Sequence, residues 1–102
     1  MISAAFIVHD DLYKSFRIDG HSGYAPAGGD IVCAGVTACT QYALNLLEAF
    51  GIPCSLHIDE PLIDCSIGTP NAISDKIIRT LHAELASYES LYPQYVKTEV
   101  TS

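Results

Sequence analysis

Basic residues are scarce: five lysines and arginines stand against twelve aspartates and glutamates, a formal charge of -7 at pH 7 with a pI near 4.7. A surface so biased repels a phosphate backbone, so direct nucleic-acid binding is not expected. Charge of either sign is sparse as well, at 17% of residues against 49% hydrophobic ones, which leaves too little polarity for a disordered chain. Long apolar runs are missing. Stretches such as Ala4 to Val8 fall far short of the ~20 residues that cross a bilayer, and the first ten residues lack the basic start of an export signal. A cytoplasmic protein without membrane contact is the expectation. At 102 residues and 11.0 kDa, the chain has room for one two-layer domain over residues 1–102.

Cys33, Cys39, Cys54 and Cys65 form no C-x-x-C pair, and no histidine lies at zinc-ligand spacing from two of them. Neither a metal nor another cofactor is expected. Without an export signal the four thiols are read as free, and the question becomes whether one of them is reactive.

The order of elements follows from hydrophobic periodicity. Ile2, Ala4, Phe6 and Val8 alternate with their neighbours, Asp10-Asp11 interrupts, and Leu12, Phe16 and Ile18 resume the period of two, which predicts a hairpin. Gly20 to Gly29 reads GHSGYAPAGG, a composition that predicts a mobile loop rather than a helix or central strand. From Asp30, the expected N-cap, Val32, Val36, Cys39, Ala43, Leu46 and Phe50 recur at helical steps until Gly51 and Pro53 stop them. Cys54, Leu56 and Ile58 alternate before Glu60-Pro61, and Ile63, Cys65 and Ile67 alternate after it. Pairing residue 58 with 63 puts all six on one face of a second hairpin. Thr69-Pro70 reads as a cap and first position for a second helix carrying Ile73, Ile77, Leu81, Leu85, Tyr88 and Tyr92, and Tyr95 to Val100 as a last strand. The fold class expected is α/β (α+β), two layers, with a mixed five-stranded sheet and two helices packed on one face, in the order ββαββαβ.

Among the thiols, Cys39, Cys54 and Cys65 fall on apolar faces, where inert buried cysteine belongs. Cys33 differs. It lies in the expected first turn of the helix, sharing a stripe with Thr37 and Thr40, off the core face and beside the glycine-rich loop. A helix N-terminus stabilises a negative charge by roughly 0.3–1 kcal/mol, less than the ~1.4 kcal/mol that moves a pKa by one unit, so a thiol there still needs a cation or a general base. His21, at the head of the same loop, is the one histidine that local chain geometry places to supply it, although a lone loop histidine is ordinarily just solvated. His9, His57 and His82 read as surface residues. Asp30 can cap the helix and can also orient His21.

The stretch DGHSGYAPAGGDIVCAGVTACTQ, Asp19 to Gln41, closely resembles the signature of the Prp family of bacterial ribosomal-processing cysteine proteases. In that family a strand ends in Asp-Gly-His, a glycine-rich loop follows, and Asp-Ile-Val-Cys-Ala opens a helix, with the histidine and cysteine twelve positions apart as His21 and Cys33 are here. The resemblance implies a thiol protease that removes the N-terminal extension of a large-subunit ribosomal protein. It implies Cys33 as nucleophile, His21 as general base and Asp30 in support, with Thr37 where the family usually has serine. Gly20, Ser22, Gly23, Tyr24, Gly28 and Gly29 would belong to a loop closing over the substrate. Pro26, Ala27 and Gly29 stand where related sequences often carry larger or charged residues. A homodimer is implied too.

Read beside the resemblance, unpaired amides of the first helical turn, including that of Cys33, would suit an oxyanion. Two readings from other classes compete: a noncatalytic module binding a basic ribosomal-protein peptide, which the acidic charge fits equally well, and a redox sensor using Cys33 with Cys39. Six residues along one helix, those two thiols face differently, and a direct bridge is strained.

Overall fold

The computed structural model describes the backbone of residues 1–20 and 27–102 and the side chains of residues 1–20 and 31–102. The expectations placed on His21, Ser22, Gly23, Tyr24 and the Asp30 side chain lie outside the described residues. Strands β1 (Ile2–His9) and β2 (Leu12–Asp19) are followed by helix α1 (Ala27–Ala49), strands β3 (Cys54–Asp59) and β4 (Leu62–Ile67), helix α2 (Ala72–Leu91) and strand β5 (Val96–Thr101). This is the expected ββαββαβ order. The sheet runs β3-β4-β2-β1-β5, antiparallel except where β5 lies parallel to β1. Both helices cover one face, onto which Ile2, Phe6, Phe16, Ile18, Cys65 and Ile67 point with 5% exposure or less.

Asp10 and Asp11 turn the first hairpin with φ of 52° and 66°, the doubly positive conformation that two-residue hairpins favour and short acidic side chains tolerate. The simple period of two in β2 does not hold. Ile7 pairs with Ser15 but Val8 with Tyr13, so a bulge at Lys14 turns Tyr13 rather than Leu12 into the core. The second hairpin has the expected register, Ile58 opposite Ile63 and Leu56 opposite Cys65.

Both helix starts differ from the sequence expectation. Helix α1 begins at Ala27, so Gly28 and Gly29 are helical rather than looped and Asp30 is the fourth helical residue rather than the cap. Glycine lowers helix propensity without forbidding helical backbone, and an acidic residue is at home in a first turn. Helix α2 begins two residues later than Thr69-Pro70 suggested. Asn71 is its cap, accepting from the backbone N–H groups of Ile73 and Ser74 while the Ser74 hydroxyl accepts from Asn71 N–H, a closed capping box. The end of α1 is as expected: Gly51, at φ 67°, lets Ile52 N–H reach Leu47 O and Gly51 N–H reach Glu48 O.

The helices touch at Gly35, where an added Cβ would fall 2.7 Å from Cζ of Tyr88. Gly35→Ala should therefore destabilise the fold by roughly 1–3 kcal/mol through overpacking. The check is a lower urea midpoint at unchanged slope, partly recovered when Tyr88→Leu is added.

Helix α2 is tied to the first hairpin by polar contacts. Asp75 accepts from Tyr13 N–H at 2.8 Å and from Arg79 at 3.0 Å, and the Arg79 guanidinium stands 4.6 Å over the Tyr13 ring. His82, expected at the surface, is half-buried instead: it stacks on Phe6 at 4.5 Å and its Nδ1 meets the Tyr13 hydroxyl at 2.7 Å. Burial alone would raise the Asp75 carboxyl, but hydrogen bonds from Arg79 and the Tyr13 backbone outweigh it and hold the group below its ordinary value. Burial lowers His82, against a smaller opposing pull from Glu89. Both folded-state pKa values lie below the unfolded ones, so both contributions are present at higher pH and lost on acidification. Stability should fall first as pH drops through the unfolded histidine range near ~6.5, then again below ~4 as Asp75 titrates. Thermal melts should show Asp75→Asn less stable at neutral pH and missing the second decline.

Candidate active site

Cys33 is the seventh residue of α1, in its second turn rather than its first. With the helix starting at Ala27, its amide falls within the intrahelical hydrogen-bond ladder, so it is not the free oxyanion donor the sequence suggested. The helix-end field, which fades beyond the first turn, is also weaker there. The side chain is half-buried and packs against the edge of the core, more inward than a fully outward-facing stripe would place it. Thr37 on the next turn is exposed, whereas Thr40 is fully buried and donates to Val36 O at 2.8 Å.

A small pocket of about 60 Å³ opens at Cys33. Thr37 and Val36 line it from the helix, and Ile63, Glu60 and Pro61 from the second hairpin. Gly20, the last described residue before the motif histidine, lines the side where β2 ends. Gly20 has a φ of 94°, and a Cβ there would run into the Met1 carbonyl, so the β2 end lies tight against the start of β1. The end of β2 and α1 thus bring the two halves of the Asp19 to Gln41 motif to one pocket. The hairpin wall could not be read from the sequence: Glu60, Pro61 and Ile63 sit about thirty residues downstream of Cys33, and no local pattern couples them to it.

The remaining thiols are differently placed. Cys65 is fully buried under the helices, and burial, then its neighbours Cys54 and Asp64, push its pKa up to about 12. Cys39 is half-buried between the helices, where burial and then the Glu84 charge raise it. Cys54 is exposed, not buried as its alternating pattern implied, because neither helix covers β3. Cys33 and Cys39 line different depressions of the surface, against a bridge between them. Among the described histidines, His9 and His57 are exposed, His82 is held by Tyr13, and none lines the Cys33 pocket. Among the described residues, no group of three or more His, Cys, Asp or Glu side chains could hold a metal ion, and no helix is long and apolar enough to cross a membrane.

Comparison with known proteins agrees with this architecture. A crystal structure of the essential ribosomal processing protease Prp from S. aureus, in complex with a covalently linked product peptide, superposes with a TM-score of 0.88 at 24% identity, over 99% of this chain and 100% of that one. A Streptococcus mutans protein gives the same TM-score, 0.88, at 23% identity, over 99% of this chain and 94% of that one. In sequence, the ribosomal processing cysteine protease Prp of Bacillus subtilis is 41% identical over 59 residues, 55% of this chain. The matched stretch spans 45% of that relative, less than half its length. Residues 1–97 match the family described as Cysteine protease Prp, and the chain belongs to that family.

Proposed function

We propose that this chain is a cysteine endopeptidase that removes the N-terminal extension of a bacterial large-subunit ribosomal protein in the cytoplasm. The observation that supports this most is the family match over residues 1–97, which contains a half-exposed thiol, Cys33, in a pocket at the end of β2. The ribosomal part of the reading is supported by the S. aureus and Bacillus subtilis relatives, each described as a ribosomal processing protease.

In this reading Cys33 and His21 form a dyad. His21 takes the proton from Cys33 Sγ as the sulfur attacks the scissile carbonyl, then gives it to the leaving amine. A water, deprotonated by the same imidazole, hydrolyses the thioester and frees the thiol. Asp30 orients His21. The Thr37 hydroxyl, one turn beyond the nucleophile, contacts the substrate backbone. Gly20, Ser22, Gly23 and Tyr24 cover the substrate from the loop, with Gly28 and Gly29 allowing its backbone close to the start of α1. The reaction needs neither metal nor organic cofactor.

An extended and a truncated ribosomal peptide, weighed before and after incubation, test the reading. The parent should cut only the extended one. Cys33→Ala should abolish the cut while changing stability by no more than about 1 kcal/mol, as expected for a half-buried methyl-for-thiol change. His21→Ala should slow it by roughly 10²–10⁴-fold, and Cys39→Ala should keep the chemistry while losing stability. Parental rates from Cys33→Ala would reject the nucleophile.

The same reading carries a homodimer. Between α1 and α2 lies an open groove of about 640 Å³ whose rim exposes Tyr42, Phe50 and Ile73, with Phe50 at 58% exposure rather than in the core stripe. A second copy laid on this face would bury those side chains. Sedimentation at micromolar concentration should give twice the 11.0 kDa chain mass, and Tyr42→Glu with Phe50→Glu should return it to 11.0 kDa.

A further inference from the structure

Cys54 and Cys65 lie one residue pair out of step on one face of the second hairpin. Cys54 stands opposite Ile67 and Leu56 opposite Cys65, so the two thiols are diagonal neighbours across β3 and β4. They share a hydrogen bond although their surroundings differ. Cys65 is fully buried beneath the helices, whereas Cys54 opens to solvent in a depression of about 300 Å³ between α1 and the uncovered face of β3. Neither takes part in the chemistry proposed for Cys33.

The geometry of this pair excludes its two commonest uses. A disulfide needs sulfurs ~2.05 Å apart and Cα atoms within about 7 Å, and diagonal neighbours in an antiparallel pair stand roughly 7–8 Å apart. Zinc needs at least three protein donors, and among the described residues no third His, Cys, Asp or Glu joins the two thiols. Asp64, next to Cys65 in β4, faces the other side of the sheet, where it accepts from Arg17 at 3.5 Å. A soft monovalent d¹⁰ ion has neither requirement. It takes two thiolates in a near-linear bridge, with the sulfurs separated by about twice a metal–sulfur bond of ~2.3 Å, roughly 4.6 Å.

Charge favours such an ion as well. Burial first, then the negative neighbours Cys54 and Asp64, keep the proton on Cys65. Those neighbours attract any cation that takes the proton's place, and a thiolate bound to a cation carries less bare charge into the core than a free one. The exposed Cys54 gives the ion its way in.

We propose that Cys54 and Cys65 form a two-coordinate site for Cu(I). On binding, two S–H bonds give way to two S–Cu bonds, both protons pass to water, and copper stays in the +1 state. The ion ties the edge strand β3 to β4 within the hairpin whose residues Glu60, Pro61 and Ile63 wall the Cys33 pocket. The site does not depend on the protease reading.

The test is the withdrawal of Cu(I) from its coloured bicinchoninate complex, without oxygen, by the Cys33→Ala protein, which lacks the thiol of the other pocket. One Cu(I) per chain should pass to the protein, and X-ray absorption should show two sulfur neighbours and no nitrogen or oxygen. Cys54→Ser in the same background, an exposed change that the fold tolerates, should lower the affinity at least a hundredfold. Cys39→Ser should leave it unchanged. No transfer of Cu(I), or equal affinity with and without Cys54→Ser, would overturn the proposal. Retention of Zn(II) as tight as that of Cu(I) would overturn the two-donor geometry. A heavier species in sedimentation on adding Cu(I) would overturn it too, by placing the second thiol on another copy.

Discussion

The approach of the two helices at Gly35 sets where everything else stands. With no Cβ on Gly35, the Tyr88 ring sits against the α1 backbone, and the helices pack as one layer over the sheet. Two helices at an axial spacing of ~8–10 Å cover roughly 16–20 Å, whereas five strands at ~4.8 Å span about 24 Å. Drawing the helices together thus leaves about one strand bare. That strand is β3, exposed along its whole length, while Cys65 and Ile67 on neighbouring β4 are fully buried. On the same helix, two residues before Gly35, Cys33 lies beside Gly20 and the β3–β4 turn.

Local alternation and helical spacing were enough to read the element order, both hairpins and the Ile58 to Ile63 register, because each depends on neighbouring residues. The glycine after α1 was equally plain. Features that depend on long-range contacts were not. Nothing near Leu12 announces the Lys14 bulge that turns Tyr13 inward, and nothing near His82 shows that Phe6 and Tyr13, some seventy residues earlier, will enclose it. The start of α1 departs from the local pattern for a different reason: Gly28 and Gly29 lower helix propensity, yet their backbone is helical all the same. Cys54, Leu56 and Ile58 carry the pattern of a buried face, and only the width of the helical layer decides that they stay uncovered.

For the site, the motif from Asp19 to Gln41 points to Cys33 and His21 as the proposed pair. It could not show what lies opposite them. The wall at Glu60, Pro61 and Ile63 arises because β2 carries the motif's first half and also pairs with β4, so the second hairpin is anchored beside the motif by sheet register. The motif and the wall belong to different segments, which is why a local sequence pattern marks the former and only the fold supplies the latter.

Among the described residues two apolar surfaces stay open, and their charges differ. The α1–α2 groove carries Lys76 and Glu84, opposite signs on one face, so a two-fold axis can set each against its counterpart in a second copy. The depression between α1 and β3, lined among others by Leu44, Glu48, Leu56 and Ile58, carries Glu48 and no base, so the same operation there would oppose like charges. A bare edge strand invites pairing with other copies of the chain, and acidic residues at its end, Asp59 and Glu60, are one means of opposing it. The acidic balance of the chain, which argues against nucleic acid, thus has a local consequence: it places like charge where two copies of β3 would meet edge to edge.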